Sequence, residues 1–481
     1  MQIGNHPLDK AYAESIKPVR NRMRVYDYDS LLDALLRRLN EPLTDHKVNN
    51  LQRLPWVVER LILWLLADNP LQYKKTTVDK QALDFLVHMA WDSVNKLYKQ
   101  HIKIHSVKLF VRQQFLSQIP YQISLDSHSL TLQLYLISKL DEKSKLRKYL
   151  DIRAGMPIEQ YFQMALLFWA HTNTERPWFN IDYIKSVLPI FPETSLNIFL
   201  NSITFRKHEL HKLLCQRTIE LDEWFQPVVL YKTPCVLHEN TIIPFGRPTL
   251  RRYFENLVGD WLEYENGQCL QDYDRLISEY VEFGLQRCNA NFLNEDGIKK
   301  LTNTKKRVCD FLIDEKDCYI LVEVKNKSLT KKMPSSSDPI PIKTKLKATI
   351  VSAMEQLNDT SDALAELTAF KNRHCYKVIV TKNDLWLGDT GALFPVVEGA
   401  DPIWIFSLAD IDNLVELISQ GKNTFCSFFR DVVERQKTAE HSVFSVGMIF
   451  GREPYRLEHL PSHLIAESDK IFNELAKKLQ T

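Results

Sequence analysis

The sequence predicts a mixed α/β protein: a mainly helical first half, then a small mixed sheet covered by helices. Three observations predict it. Apolar residues recur at three- and four-residue spacing through the first half. Strand-like runs begin only near Val228. Beyond residue 249 the elements follow the order helix, helix, hairpin, helix, strand, strand, helix, which suits a sheet packed between helices.

In the first half, Leu31, Leu32, Leu35, Leu36 and Leu39 mark one helical face, with Ser30 and Asp33 as a start signal. Similar stripes run through residues 57–66, 82–98, 132–140 and 161–170, and residues 181–188 and 195–205 are read as a further helix pair. Pro42, Pro55, Pro70, Pro157 and Pro177 punctuate them. Residues 1–225 are therefore assigned to a helical recognition or partner-binding region, the expected surface for a partner protein or a homodimer. A linker at 226–248 carries short strands at 228–231 and 241–244. The sheet domain spans 249–435, and 436–481 form a helical tail.

Within the sheet domain, helices are expected at 250–264 and 276–287, and strands at 307–314 and 318–325. A Pro/Ser-rich loop at 333–339 follows, then a helix at 343–358. Strands at 376–381 and 402–406 and a helix at 408–418 complete the order.

Composition excludes several classes. The chain has 481 residues and a formal charge of only +2, so a polyanion-binding surface must come from local clustering. Such clustering exists: eleven Lys or Arg oppose six Asp or Glu between Leu301 and Ile350. The eight cysteines lie nine or more positions apart, which argues against a CxxC zinc knuckle or redox pair and for reduced core thiols. Residues 1–24 are charged throughout, so no secretory signal is read there and a cytoplasmic protein is expected. The apolar run at 55–67 is short and contains Glu59 and Arg60, as a buried helix would, and no membrane association is expected. No Gly-rich phosphate loop is present, which argues against a nucleotide-driven engine. His208 and His211 lack metal-pair spacing and a third ligand, and Trp56, Trp64, Trp91 and Trp169 fall on core stripes.

The chemistry concentrates on two strands. A phosphodiester resists hydrolysis because its anionic oxygens repel nucleophiles and its leaving alkoxide is poor. A divalent metal held by carboxylates answers both problems, and a lysine can orient the attacking water. Asp310 and the run Glu323-Val324-Lys325 supply that set on apolar strands, where an unpaired charge would be expensive. A turn at 314–317 would pair Ile313 with Cys318 and Asp310 with Leu321. Asp310, Glu323 and Lys325 then share one face, because side chains alternate along a strand. Two helical residues join them: Glu279, at the edge of an apolar stripe, as a metal ligand, and Gln356, as a hydrogen-bonding group for Lys325 or a phosphate. Lys327, Lys331, Lys332, Lys343, Lys345 and Lys347 are candidates for gripping nucleic-acid phosphates.

Together, Glu279, Asp310, Glu323-Val324-Lys325 and Gln356 resemble the PD-(D/E)xK, or restriction-endonuclease-like, nucleases over residues 249–435. The resemblance implies a three-layer α/β/α core, Mg²⁺ or Mn²⁺ as cofactor, and endonucleolytic phosphodiester hydrolysis. It implies that Asp310, Glu323, Glu279 and the Val324 carbonyl ligate the metal and that Lys325 positions water. Cys309 stands where the name-giving proline would be, and Thr360 where one branch of the superfamily carries a tyrosine. DNA is the expected substrate, in defence, restriction or repair. RNA cleavage is the alternative, as is a silent nuclease fold used for nucleic-acid binding or assembly.

Overall fold

The computed structural model describes all residues except 1, 42–52, 102–106, 119–120, 122–127, 173, 175–177, 183, 185–189, 226–228, 263–266, 328–337, 388–389, 391–392, 395–402, 437–445, 453 and 481. A two-residue strand, β1 (Gln2–Ile3), precedes helices α1 (Pro7–Met23), α2 (Tyr28–Asn40), α3 (Pro55–Ala67) and α4 (Lys80–His101). After them come α5 (Val107–Phe115), α6 (His128–Ser138), α7 (Lys145–Ala154) and α8 (Ile158–Thr172). The first half is thus mainly helical. The helix expected at 181–188 lies largely outside the described residues. No described helix is long and apolar enough to cross a membrane.

One feature of this half was not expected. β2 (Phe179–Asn180) and, beyond α9 (Glu193–Ile203), β3 (Thr204–Arg206) join a hairpin of β5 (Cys235–His238) and β6 (Thr241–Pro244) in a four-stranded sheet. Between them lie α10 (Lys207–Leu214), β4 (Thr218–Ile219) and α11 (Asp222–Phe225). The strand expected at 228–231 is not formed where described: Val229–Lys232 make a 3₁₀ turn instead. Pro234 prevents the run from continuing as a paired strand, and Cys235–His238 become the hairpin partner of Thr241–Pro244.

The second half starts with α12 (Arg247–Leu262) and α13 (Gln268–Arg287). Then follow β7 (Phe292–Asn294), α14 (Glu295–Thr302), β8 (Phe311–Asp314) and β9 (Cys318–Lys325). Next are α15 (Pro339–Leu346), a π-helical turn at Lys347–Val351, α16 (Ser352–Ala365), β10 (His374–Thr381) and β11 (Trp404–Ser407). Three more helices end the chain: α17 (Leu408–Ser419), α18 (Phe425–Gln436) and α19 (Ser462–Gln480). The five strands lie in the order β11-β10-β9-β8-β7. β7, β8 and β9 form an antiparallel meander, whereas β10 and β11 run parallel to β9.

Side-chain alternation sorts the two faces of this sheet. Phe311, Ile313, Ile320, Val322, Val378 and Val380 enter one apolar cluster with α13, α17 and α18. Leu312, Tyr319, Leu321 and Ile379 enter another with Ile298 of α14, Ile342 and Leu346 of α15 and Leu357 of α16. Helices therefore cover both faces. The first cluster also takes in residues of α6, α7, α8 and α9, so apolar packing around the sheet extends well outside 249–435. A third cluster holds α1 to α4, including Trp56 and Trp64.

Candidate active site

β8 and β9 bring two carboxylates side by side. Phe311 pairs with Val322, and Asp310, one residue before the strand, continues that pairing to the position opposite Glu323. The expected register set Ile313 against Cys318; Ile313 lies against Ile320 instead. The cause is the turn, which closes at Glu315–Cys318 through a 3.1 Å hydrogen bond from the Glu315 amide to the Cys318 carbonyl. A slip of two residues preserves the face, so Asp310 moves from a diagonal neighbour of Glu323 to a direct one.

Glu323 is 1% exposed. The Lys325 ammonium contacts its Oε1, while Oε2 is buried with no hydrogen-bond partner. Burial, and then the neighbouring Asp310, push the Glu323 carboxyl up to about 8, with Lys325 pulling the other way. The Asp310 carboxyl is also raised, chiefly by burial; the Val324 N–H, which donates to its Oδ2 at 2.6 Å, and Lys325 oppose the shift. Glu295, the first residue of α14, adds a further negative charge near Asp310.

Two helical side chains hold the approach to Asp310. The Gln356 amide donates to the Val308 carbonyl, and the Thr360 hydroxyl accepts the Cys309 N–H at 3.0 Å. Thr360 in turn donates to the Gln356 carbonyl at 2.7 Å, one helical turn back. Gln356 is thus brought to the site, but it grips backbone and not Lys325. The sequence singles out Thr360 only as a departure from the superfamily's tyrosine; its role beside Gln356 is the part missed, and a hydroxyl one turn after Gln356 was the available signal.

Glu279 is not brought to the site. Its side chain is 58% exposed and pairs with Arg275 at 3.6 Å. The physical reason is the layer: α13 packs on the sheet face opposite to Leu312 and Leu321, whose side Asp310 and Glu323 share. The acid of α13 that does approach is Asp274. Asn326, the residue after β9, donates to Asp274 at 2.8 Å. Burial raises the Asp274 carboxyl, while Asn326 and the nearby Lys325 lower it. Val324 participates through its N–H.

Among the expected phosphate-gripping residues, Lys331 and Lys332 lie outside the described residues. Lys327 lies two residues beyond β9, and the Lys343 ammonium stands 5.8 Å over the Phe394 ring. Lys345 and Lys347 are exposed at the end of α15. A second cationic stretch was not singled out from sequence: Lys300, Lys305, Lys306 and Arg307 are exposed on the approach to Asp310, with no ion pair among the described residues. α14 and α15 bury Ile298 and Ile342 in one cluster, so both basic stretches flank the carboxylate face.

The donor set suits a hard divalent ion. A buried carboxylate with an orphan oxygen beside a second, half-buried one is costly without a cation. Mg²⁺ typically uses one or two carboxylates and keeps several waters. Among the described residues, the one group of three or more possible metal ligands lies elsewhere: Glu315, Cys318 and Cys426. There, Cys318 and Cys426 form a disulfide, against the expectation of reduced thiols. The 108-residue separation hid this pairing; the fold sets the first turn of α18 beside the start of β9, where Glu315 accepts the Phe425 and Cys426 amides at 2.9 and 2.8 Å. The His208–His211 segment is occupied structurally: Glu209 accepts the Arg206 amide at 2.8 Å and His211 Nδ1 meets the Leu66 carbonyl at 3.1 Å.

No protein-family model matches the chain, and no curated protein or solved structure matches it either.

Proposed function

We propose that this protein is a Mg²⁺- or Mn²⁺-dependent endonuclease of the PD-(D/E)xK type, acting on DNA. The observation that carries this reading is Glu323: a carboxylate 1% exposed, opposite Asp310, touched by Lys325 on one oxygen and unsatisfied on the other. A purely structural ion pair between Glu323 and Lys325 would not call for a second, half-buried acid opposite it or for the orphan oxygen, whereas a metal site calls for both. The order helix, antiparallel meander, helix, parallel strand and the two basic flanks support the same reading.

In this reading Asp310 and Glu323 would hold the cation, whose chemistry there would be to offset charge on the scissile phosphate and to acidify a water. Lys325 shares a face with them and positions water or a phosphate oxygen. Val324 N–H, Gln356 and Thr360 fix Asp310, so the site is organised before substrate arrives. Asp274, through Asn326, supports the strand end on the far side of Lys325. The exposed lysines on either flank supply non-specific phosphate contacts.

The test is incubation of the purified chain with plasmid DNA and, separately, with RNA, in Mg²⁺, Mn²⁺ or EDTA. Metal-dependent nicking of DNA that is lost in Asp310→Ala, Glu323→Ala and Lys325→Ala is expected. Preferred cleavage of RNA would move the substrate, and cleavage that survives Asp310→Ala and Glu323→Ala would remove the site.

A further inference from the structure

The helical first half reaches the catalytic face of the sheet at one described point. In the apolar cluster formed by Leu312, Leu321, Ile350 and their neighbours, Leu109 of α5 is the one described residue from the first half. Leu385 and Leu387 belong to that cluster too. Between those two leucines stands Trp386, with φ of +50°. A bulky side chain rarely adopts this left-handed backbone, and it persists only where surrounding groups hold it.

Those groups are visible. The buried Arg112 of α5, one turn after Leu109, donates from Nε to the Trp386 carbonyl at 2.8 Å. The Trp386 amide donates to Asp384 Oδ1 at 2.6 Å. The same short segment is tied to the site strand. Thr381 is in register with Lys325, and its hydroxyl donates to the Asn383 carbonyl at 2.9 Å. The Asn383 amide donates to the Lys327 carbonyl at 3.4 Å, and the Lys327 amide to the Lys325 carbonyl at 2.7 Å. Hydrogen bonds at both ends of the short backbone segment 383–386 therefore join α5 to the residues that follow β9.

We infer that Arg112 is a positioning residue for the site: by holding Trp386 in its left-handed conformation, it fixes residues 383–386 and, through them, the Lys325–Lys327 end of β9. The inference rests on the nuclease reading for its catalytic consequence and on the hydrogen-bond path alone for its structural one. It gives the helical half a specific role. Displacement of α5 would release the strained segment and loosen the strand end that carries Lys325.

Amide hydrogen exchange on full-length protein, wild type against Arg112→Ala and the milder Arg112→Gln, tests the path. Exchange at Asn383, Trp386 and Lys327 is expected to rise about tenfold or more, because a charge-assisted hydrogen bond is lost, while α1–α4 amides stay protected. Arg112→Lys, which keeps a cationic donor, should restore most of the protection. In the cleavage assay, kcat should fall about tenfold with KM for plasmid unchanged, the pattern of a lost positioning contact. Unchanged exchange at Lys327 in Arg112→Gln, or a uniform rise over the chain, overturns the inference. If the wild type cleaves nothing, the nuclease reading fails, and the exchange result still decides the path.

Discussion

Asp310 accepts a 2.6 Å hydrogen bond from the Val324 amide, which ties a carboxylate on one chain segment to the strand that carries Glu323 and Lys325. The contact makes the two acids one unit. It also explains why Asp310, which sits in a bend and not in a strand, is aimed at its neighbour.

Glu323 should cost the metal-free fold stability. An exposed glutamate titrates near about 4.3, whereas burial and Asp310 push Glu323 to about 8. Between those values the folded chain keeps a proton that the unfolded chain releases, so stability declines as pH rises through the window and levels off above about 8. Glu323→Gln should remove that decline and raise stability at pH 8, the relief of the buried charge outweighing the lost contact with the part-exposed Lys325. Thermal melts in EDTA at pH 6 and 8 measure this; a variant less stable than wild type at pH 8 would contradict it.

The Thr360 hydroxyl should matter more than its size suggests. Thr360→Val leaves the buried Cys309 amide without its acceptor, at a cost of about 1–3 kcal/mol, and frees the segment before Asp310. Chemical denaturation should register the loss, and cleavage should weaken with it. No change in denaturation midpoint would show that the clamp is idle.

Two of the acids of α13, Asp274 and Glu279, should behave differently. Asp274→Asn is expected to lower cleavage by roughly ten- to a hundredfold, as loss of a supporting contact around a metal site does. Glu279→Gln should leave it unchanged, because Glu279 is exposed and paired with Arg275. The reverse ranking in a steady-state assay would restore Glu279 and discard Asp274.

His463 sets an acid limit. Burial, reinforced by Arg287 and opposed by Asp412, holds its imidazole down at about 4. An unfolded histidine titrates near about 6.5, so between these values the unfolded chain binds a proton that the folded chain refuses. Its contribution is present in full above about pH 6.5 and is lost as pH falls towards 4. The melting temperature of His463→Gln should therefore fall less between pH 7 and 4.5 than that of wild type; parallel curves would exclude His463 as the cause.

Much of the site was legible because strand alternation tolerates an even slip. Asp310, Glu323 and Lys325 share a face in the expected register and in the observed one. Glu279 failed for a reason absent from local periodicity: an amphipathic stripe says which side of α13 is buried, not which face of the sheet it covers. β7 is only three residues long, too short for a period to show, and α14 was missed with it. Lys305, Lys306 and Arg307 appeared in the charge count but not as a flank of the site, since only the clustering of Ile298 with Leu312 places them there. The Cys318–Cys426 bond and the Arg112–Trp386 contact join segments 108 and 274 residues apart, beyond any spacing rule.

Metal-dependent nicking of supercoiled plasmid by wild type and Glu323→Gln, side by side at pH 8, decides whether Glu323 belongs to a nuclease site. The variant is expected to be the more stable of the two, so its loss of activity cannot be ascribed to unfolding. Nicking by wild type in Mg²⁺ or Mn²⁺, none in EDTA, and none by Glu323→Gln is the expected result. Equal metal-dependent nicking by both proteins would contradict it.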